Sequence, residues 1–175
     1  LLIEAGEQLN KEARWSHLSA NYVWLGLFLV LWAIVFLIVP RERIVTLLMP
    51  SFLGGTVLAF IANLIGVSIL GMWRFPVALL PIFGIPLFLL LAYMPEVLIF
   101  LHYWDHLPGG TAEKGVYLAT FGFLNTAVAF FAVIMGYLVF IRWNFLYFFL
   151  LSVVLHALAA VIFTTPQLRN VFKRV

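Results

Sequence analysis

The chain contains no cysteine, which excludes disulfides, thiolate metal sites and cysteine nucleophiles. Charge is nearly as scarce. Asp, Glu, Lys and Arg make up 10% of its 175 residues, against roughly 25% in soluble domains. With 65% of residues hydrophobic, a soluble fold could not cover its surface with polar side chains. No nucleophile–His–acid motif, phosphate-binding loop or metalloprotease motif is present, so the sequence predicts no enzyme. No internal repeat stands out either. The net charge of +3 is divided among short loops and both ends, which points to topology and lipid headgroups rather than nucleic acid.

What the sequence has is long uncharged apolar runs, the signature of membrane spans. The expected fold is all-α: a polytopic membrane bundle of five transmembrane helices preceded by an amphipathic interfacial helix. That first helix covers residues 1–20, where Leu2, Ala5, Leu9 and Ala13 recur at helical spacing among Glu and Lys. A single transmembrane domain fills residues 21–175, with spans at about 22–39, 44–72, 75–103, 112–141 and 145–165. The third is the most unusual, carrying Pro76, Pro81, Pro86 and Pro95, and is expected to kink. Thr111 is the expected N-cap of the fourth span. An odd number of spans argues against two equal inverted halves.

Five spans place the two ends on opposite sides. Arg41, Arg43, Lys114, Arg169, Lys173 and Arg174 fall on one side, and Lys11, Arg14, Arg74 and Arg142 on the other. The positive-inside rule then favours N-out, C-in in a cell membrane. Trp73, Trp104 and Trp143 fall at span ends, where an aromatic belt is expected.

Helices associate in lipid through close backbone approach rather than apolar bulk. Span two carries Gly55, Ala59, Ala62 and Gly66 on one face. Span four carries Gly122, Asn125, Ala129, Ala132 and Gly136, and span five has Ser152, Ala159 and Ala160 around His156. These stripes are expected to make the tight contacts.

Three polar residues share one depth when each is measured from the same side at about 1.5 Å per residue. They are Glu96 on span three, Asn125 on span four and His156 on span five. An acid at mid-span costs roughly 2.5–3.5 kcal/mol on insertion scales, so Glu96 must turn inward and be protonated or paired. Tyr93 and Tyr103 lie on its own face as possible donors, and Ser152 stands one turn from His156. The layer is either a proton or cation site or a hydrogen-bonded clasp that fixes helix register. His102 and His106, spaced four apart with Asp105 between them, are a second candidate, as metal ligands at a helix end. No cofactor is predicted, with a metal ion there or a haem left open. His17 is expected on the far side from His102, and His156 lacks an axial partner at its depth.

Residues Ile61–Trp143 also resemble a family of uncharacterised multi-span membrane proteins of spore-forming Gram-positive bacteria. The resemblance is carried by Asn63-Leu-Ile-Gly66, Gly71-Met-Trp73, Phe75-Pro76, Leu80-Pro81, Pro86-Leu87 and Trp143. It implies a bacterial origin and brings no activity with it. The leading functional expectation is an accessory or assembly subunit whose partners are the bilayer and other membrane subunits or a second copy of itself. The alternative is a small transporter or channel component using the Glu96, Asn125 and His156 layer.

Overall fold

The computed structural model describes residues 22–76, 80–108 and 110–164. The expected N-terminal helix, His17 and the basic tail lie outside them. The described chain is an all-α bundle. Helix α1 spans Tyr22–Ile38, α2 Arg41–Ile69, α3 Leu87–Trp104, α4 Thr111–Ile134 and α5 Phe145–Thr164. Helices α2 to α5 are long and apolar enough to cross a membrane, and α1 is a shorter apolar helix of about 25 Å. Apolar side chains such as Leu37, Val45, Ile69 and Phe123 are left well exposed, a surface suited to acyl chains rather than water.

The α3 helix sits at the centre. Half of it (50%) is buried, against 33%, 17% and 22% of 18-residue apolar stretches of α2, α4 and α5. One core cluster gathers Val35, Ile44, Leu98, Phe121 and Ala159 around the fully buried Phe100, towards the end where α1 passes into α2. A second gathers Trp24, Trp73, Leu89, Ala129 and Leu138 at the opposite end.

The α2 helix is irregular for identifiable reasons. Pro50 lies inside it and removes a backbone donor while crowding the preceding turn. A π-helical turn, Phe52–Val57, follows at once, and a second spans Leu64–Ile69; each fits an extra residue into the helix. Gly71, with φ +58°, then turns the chain back as Met72 N–H donates to the Gly66 carbonyl at 2.7 Å. Trp73 thereby folds onto Gly66, where any Cβ would overlap its ring.

The expected third span is corrected here. The described residues 75–76 and 80–86 are not helical, and α3 begins only at Leu87. Pro81–Ile82 (β2) and Ile85–Pro86 (β3) form a hairpin closed by Phe83-Gly84, whose φ values are +52° and +78°. Positive φ at both central residues is the type I′ turn that matches strand twist. Pro81 and Pro86 therefore serve strand positions rather than kinks, and only Pro95 stays inside the helix. The Ser68 hydroxyl donates to the Phe83 carbonyl at 3.1 Å, fixing the hairpin tip on α2.

The α4 helix also ends earlier than expected. Gly136, with φ +74°, accompanies bonds from Tyr137 N–H to the Ala132 carbonyl (2.7 Å) and from Gly136 N–H to the Val133 carbonyl (3.0 Å). Those two bonds make a Schellman stop, so Gly136 ends a helix instead of packing two together. Trp73–Arg74 (β1) then pairs antiparallel with Val139–Phe140 (β4), and Ile141 and Arg142 both donate to the Met72 carbonyl. The α2–α3 and α4–α5 connections are thus joined by backbone bonds. Asn144 caps α5, its Oδ1 accepting from Tyr147 N–H at 2.9 Å. The N-cap of α4 is Gly110, without a side-chain bond, and the expected Thr111 is the first helical residue. Trp73 is 3% exposed, so it belongs to the core and not to an aromatic belt; Trp104 and Trp143 are half-buried.

At the other end Arg43 donates to Asp105 at 2.6 Å, tying the start of α2 to the end of α3. Both side chains keep about a quarter of their exposure (26% and 23%). The Arg43→Gln variant is therefore expected to lose no more than about 1 kcal/mol, and less in high salt. Thermal unfolding at two ionic strengths checks this.

Candidate functional site

The site is built around one turn of α3. Pro95, fully buried, leaves the Leu91 carbonyl without its helical donor. On the other side of this turn Gly55 presses its bare Cα face on α3, so that a Cβ there would overlap the Tyr93 carbonyl and approach Met94 Cα. Backbone contact of this kind requires glycine. The turn is held from behind by α2, and Glu96 is presented to α4 and α5.

Asn125 Nδ2 on α4 donates to Glu96 Oε1 at 2.7 Å and to Ser152 Oγ on α5 at 3.0 Å. His156 Nε2 on α5 lies 3.3 Å from the same Glu96 oxygen, with side-chain exposures of 5% for His156 and 13% for Glu96. The sequence-predicted layer of Glu96, Asn125 and His156 is thus brought together, with Ser152 joining it. His156 Nε2 makes no well-directed hydrogen bond, so its approach to the carboxylate is an ion-pair contact with loose angular geometry.

The other imidazole nitrogen decides the proton count. His156 Nδ1 is 2.8 Å from the Ser152 backbone carbonyl. A carbonyl only accepts, so Nδ1 must carry a hydrogen. In a neutral ring that leaves Nε2 as a bare acceptor facing a carboxylate oxygen, and two lone pairs at 3.3 Å repel. The contact is attractive only when one further proton resides on the pair, either as imidazolium with carboxylate or as imidazole with carboxylic acid. The Phe100 and Phe121 rings stand against the imidazole, with centroids at 4.9 and 5.4 Å, and keep that proton in an apolar surround.

A second polar group lies beside the first. Trp73 Nε1 donates to Asn63 Oδ1 at 3.2 Å, and Asn63 Nδ2 donates to the Ala59 carbonyl at 2.9 Å. Among the described residues Tyr93 makes no hydrogen bond to Glu96, and it stands with Asn63 at the wall of one cavity. Between the two groups is a cavity of about 40 Å³ touching Asn63, Tyr93, Asn125, Ser152 and His156. A larger cavity of about 420 Å³ lies on the other side of Asn125, walled by α1, α3 and α4, with Glu96 and Asn125 reaching its surface. No known family, curated protein or solved structure matches this chain. The chemistry of these residues must carry the functional argument.

The remaining expected site residues fall elsewhere. Tyr103 is exposed, its ring 4.9 Å from His102. The His102 and His106 rings are also 4.9 Å apart, but His106 Nδ1 bonds to the His102 carbonyl at 2.7 Å and Asp105 is held by Arg43. Among the described residues no group of three or more His, Asp and Glu converges as a metal site. Both His156 nitrogens face protein groups, Ser152 and Glu96, an arrangement that offers neither to a haem iron.

Of the stripe residues, Gly55 and Gly66 are covered by Tyr93 and Trp73, and Gly122 by Val153 and Phe149. Ala59 and Ala129 are buried. The layer drawn from the sequence held Glu96, Asn125 and His156 without Asn63, and so missed its link to the site. The available signal was Gly66 on the same face with Gly71 beyond it, a combination that returns Trp73 over the helix.

Proposed function

We propose that this is a multi-pass membrane protein acting as a small transporter or channel component, with Glu96, Asn125 and His156 as its proton or cation site. The observation that carries the reading is the Glu96–His156 contact, which needs a proton held between two spans, next to cavities on either side. A purely structural clasp would be served as well by two amides, without an ionisable pair at a depth where charge is costly. Of the small residues that favour an accessory subunit, Gly55, Gly66 and Gly122 are covered by this chain's own groups and Ala59 and Ala129 are buried, which takes these five from a partner's reach. We read a bacterial cell membrane as the setting, from the resemblance of Ile61–Trp143 and the lengths of the helices. N-out, C-in is the orientation that the distribution of Lys and Arg favours.

The test uses the full chain reconstituted in vesicles that enclose a pH-sensitive dye, with an imposed potassium diffusion potential. Wild type is expected to move protons above the rate of protein-free vesicles, and Glu96→Gln to lower that flux about tenfold or more while elution and helicity stay unchanged. Equal flux from wild type and Glu96→Gln overturns the reading. Wild-type flux no greater than that of empty vesicles returns the chain to the accessory-subunit alternative.

A further inference from the structure

The larger cavity is apolar almost throughout. Trp24, Leu31, Leu89, Leu124 and Val128 contribute to its wall, and Leu124 is half exposed at its outer edge (52%). Its volume of about 420 Å³ lies within the roughly 300–1,000 Å³ range of ligand sites. The ionisable groups near its polar spot are few. Glu96 and Tyr93 come from α3 and His156 approaches from α5, while α4 offers only the amide of Asn125 and α2 only that of Asn63. Glu96 is the single carboxylate at the cavity wall among the described residues.

We propose that this cavity binds a lipophilic amine in its ammonium form, entering from the lipid side with its apolar body between α1 and α4 and its head on the Glu96 carboxylate. The inference rests on the proton-site reading above and names its substrate class. Charge complementarity selects the head. An ammonium ion on Glu96 takes the place of the proton that the Glu96–His156 pair otherwise holds, so that proton is released to water as the amine binds. No covalent bond changes: one cation enters the site and one proton leaves it, and the total charge of the site is conserved. A fatty alcohol fits the same apolar wall without displacing the proton, and a fatty acid would set a second carboxylate beside Glu96.

The experiment uses the purified full-length protein with dodecylamine, and with dodecanol and dodecanoate as probes of equal chain length. Trp24 lines the cavity, so binding is followed by quenching of tryptophan emission, and proton release by a pH indicator in weak buffer. Dodecylamine is expected to bind about tenfold or more tighter than dodecanol and to release close to one proton per amine. Glu96→Gln should remove both differences while retaining dodecanol binding, which also certifies that the variant is folded. Leu124→Trp, at the cavity edge, should weaken all three probes. Equal affinity for amine and alcohol, or no proton release, overturns the substrate assignment. Proton flux that persists in wild type and is lost in Glu96→Gln would then leave the proton site standing without this substrate.

Discussion

Gly55→Val is expected to prevent accumulation of the folded bundle, and Gly55→Ala to lower its midpoint by several degrees. Both follow from what a Cβ would meet, namely the Tyr93 carbonyl and Met94 Cα. A flexible side chain can rotate away from a new methyl group, but backbone atoms of a central helix cannot. Overpacking at such a contact costs about 1–3 kcal/mol for small additions. In a chain of this size each kcal/mol shifts the midpoint by about 2–4 °C. Valine adds branching that leaves few rotamers free of the clash, so α2 and α3 would have to separate. Separation would also withdraw support from the turn that presents Glu96. Gly26 and Gly115 are the controls, because a Cβ at either meets nothing within 4 Å. Their alanine variants should unfold at or slightly above the wild-type temperature. Thermal unfolding in detergent, followed by circular dichroism, distinguishes the cases. Unchanged midpoints for Gly55→Ala and Gly55→Val would mean that α2 and α3 do not approach as closely as described.

The second large effect concerns the acid–imidazole pair. Glu96→Leu leaves His156 Nε2 without the carboxylate it faces and frees one bond of Asn125. His156→Phe leaves the carboxylate with only Asn125 among the described residues. Removing one member of a buried ion pair costs about 3–5 kcal/mol, because the remaining group stays desolvated without compensation. The double variant Glu96→Leu with His156→Phe restores an apolar interior of similar volume, and apolar replacements of whole pairs are often neutral or stabilising. The three unfolding free energies should therefore be strongly non-additive, with a coupling above about 2 kcal/mol. Hydrogen bonds between membrane helices average about 0.6 kcal/mol by the same kind of cycle. A coupling near that average would mark an ordinary bond between spans and remove the case for a shared proton. Reversible denaturation of the four proteins in mixed micelles measures it.

Much of the site is legible in the sequence because helical rise is constant. Depth counted along three spans brought Glu96, Asn125 and His156 to one level, and cost at that level forced the acid inward. Hydropathy likewise located the apolar helices. The hairpin of residues 81–86 escaped the same reasoning, since Leu, Ile and Phe score alike in helix and strand. Four prolines in one apolar run read equally as kinks or as a break; Phe83-Gly84 decides for the break by supplying a turn that needs positive φ at both residues. Gly136 shows the parallel ambiguity of glycine, which permits close packing in a helix and stops one with equal ease. Trp73 sits beside an arginine as interfacial tryptophans do, and only the reversal at Gly71 turns its ring into the core. These are tertiary choices that a periodic pattern does not encode.

The backbone pairing of Trp73-Arg74 with Val139-Phe140 has a mechanical consequence. Two of the chain's connections are stitched into one stiff piece, so rods entering that piece cannot spread there without breaking main-chain bonds. The far end is fastened by side chains, among them the core around Phe100 and the partly hydrated Arg43–Asp105 contact. Rods that part while keeping those main-chain bonds therefore swing like a pair of tongs, pivoting at the stitched end and separating at the other.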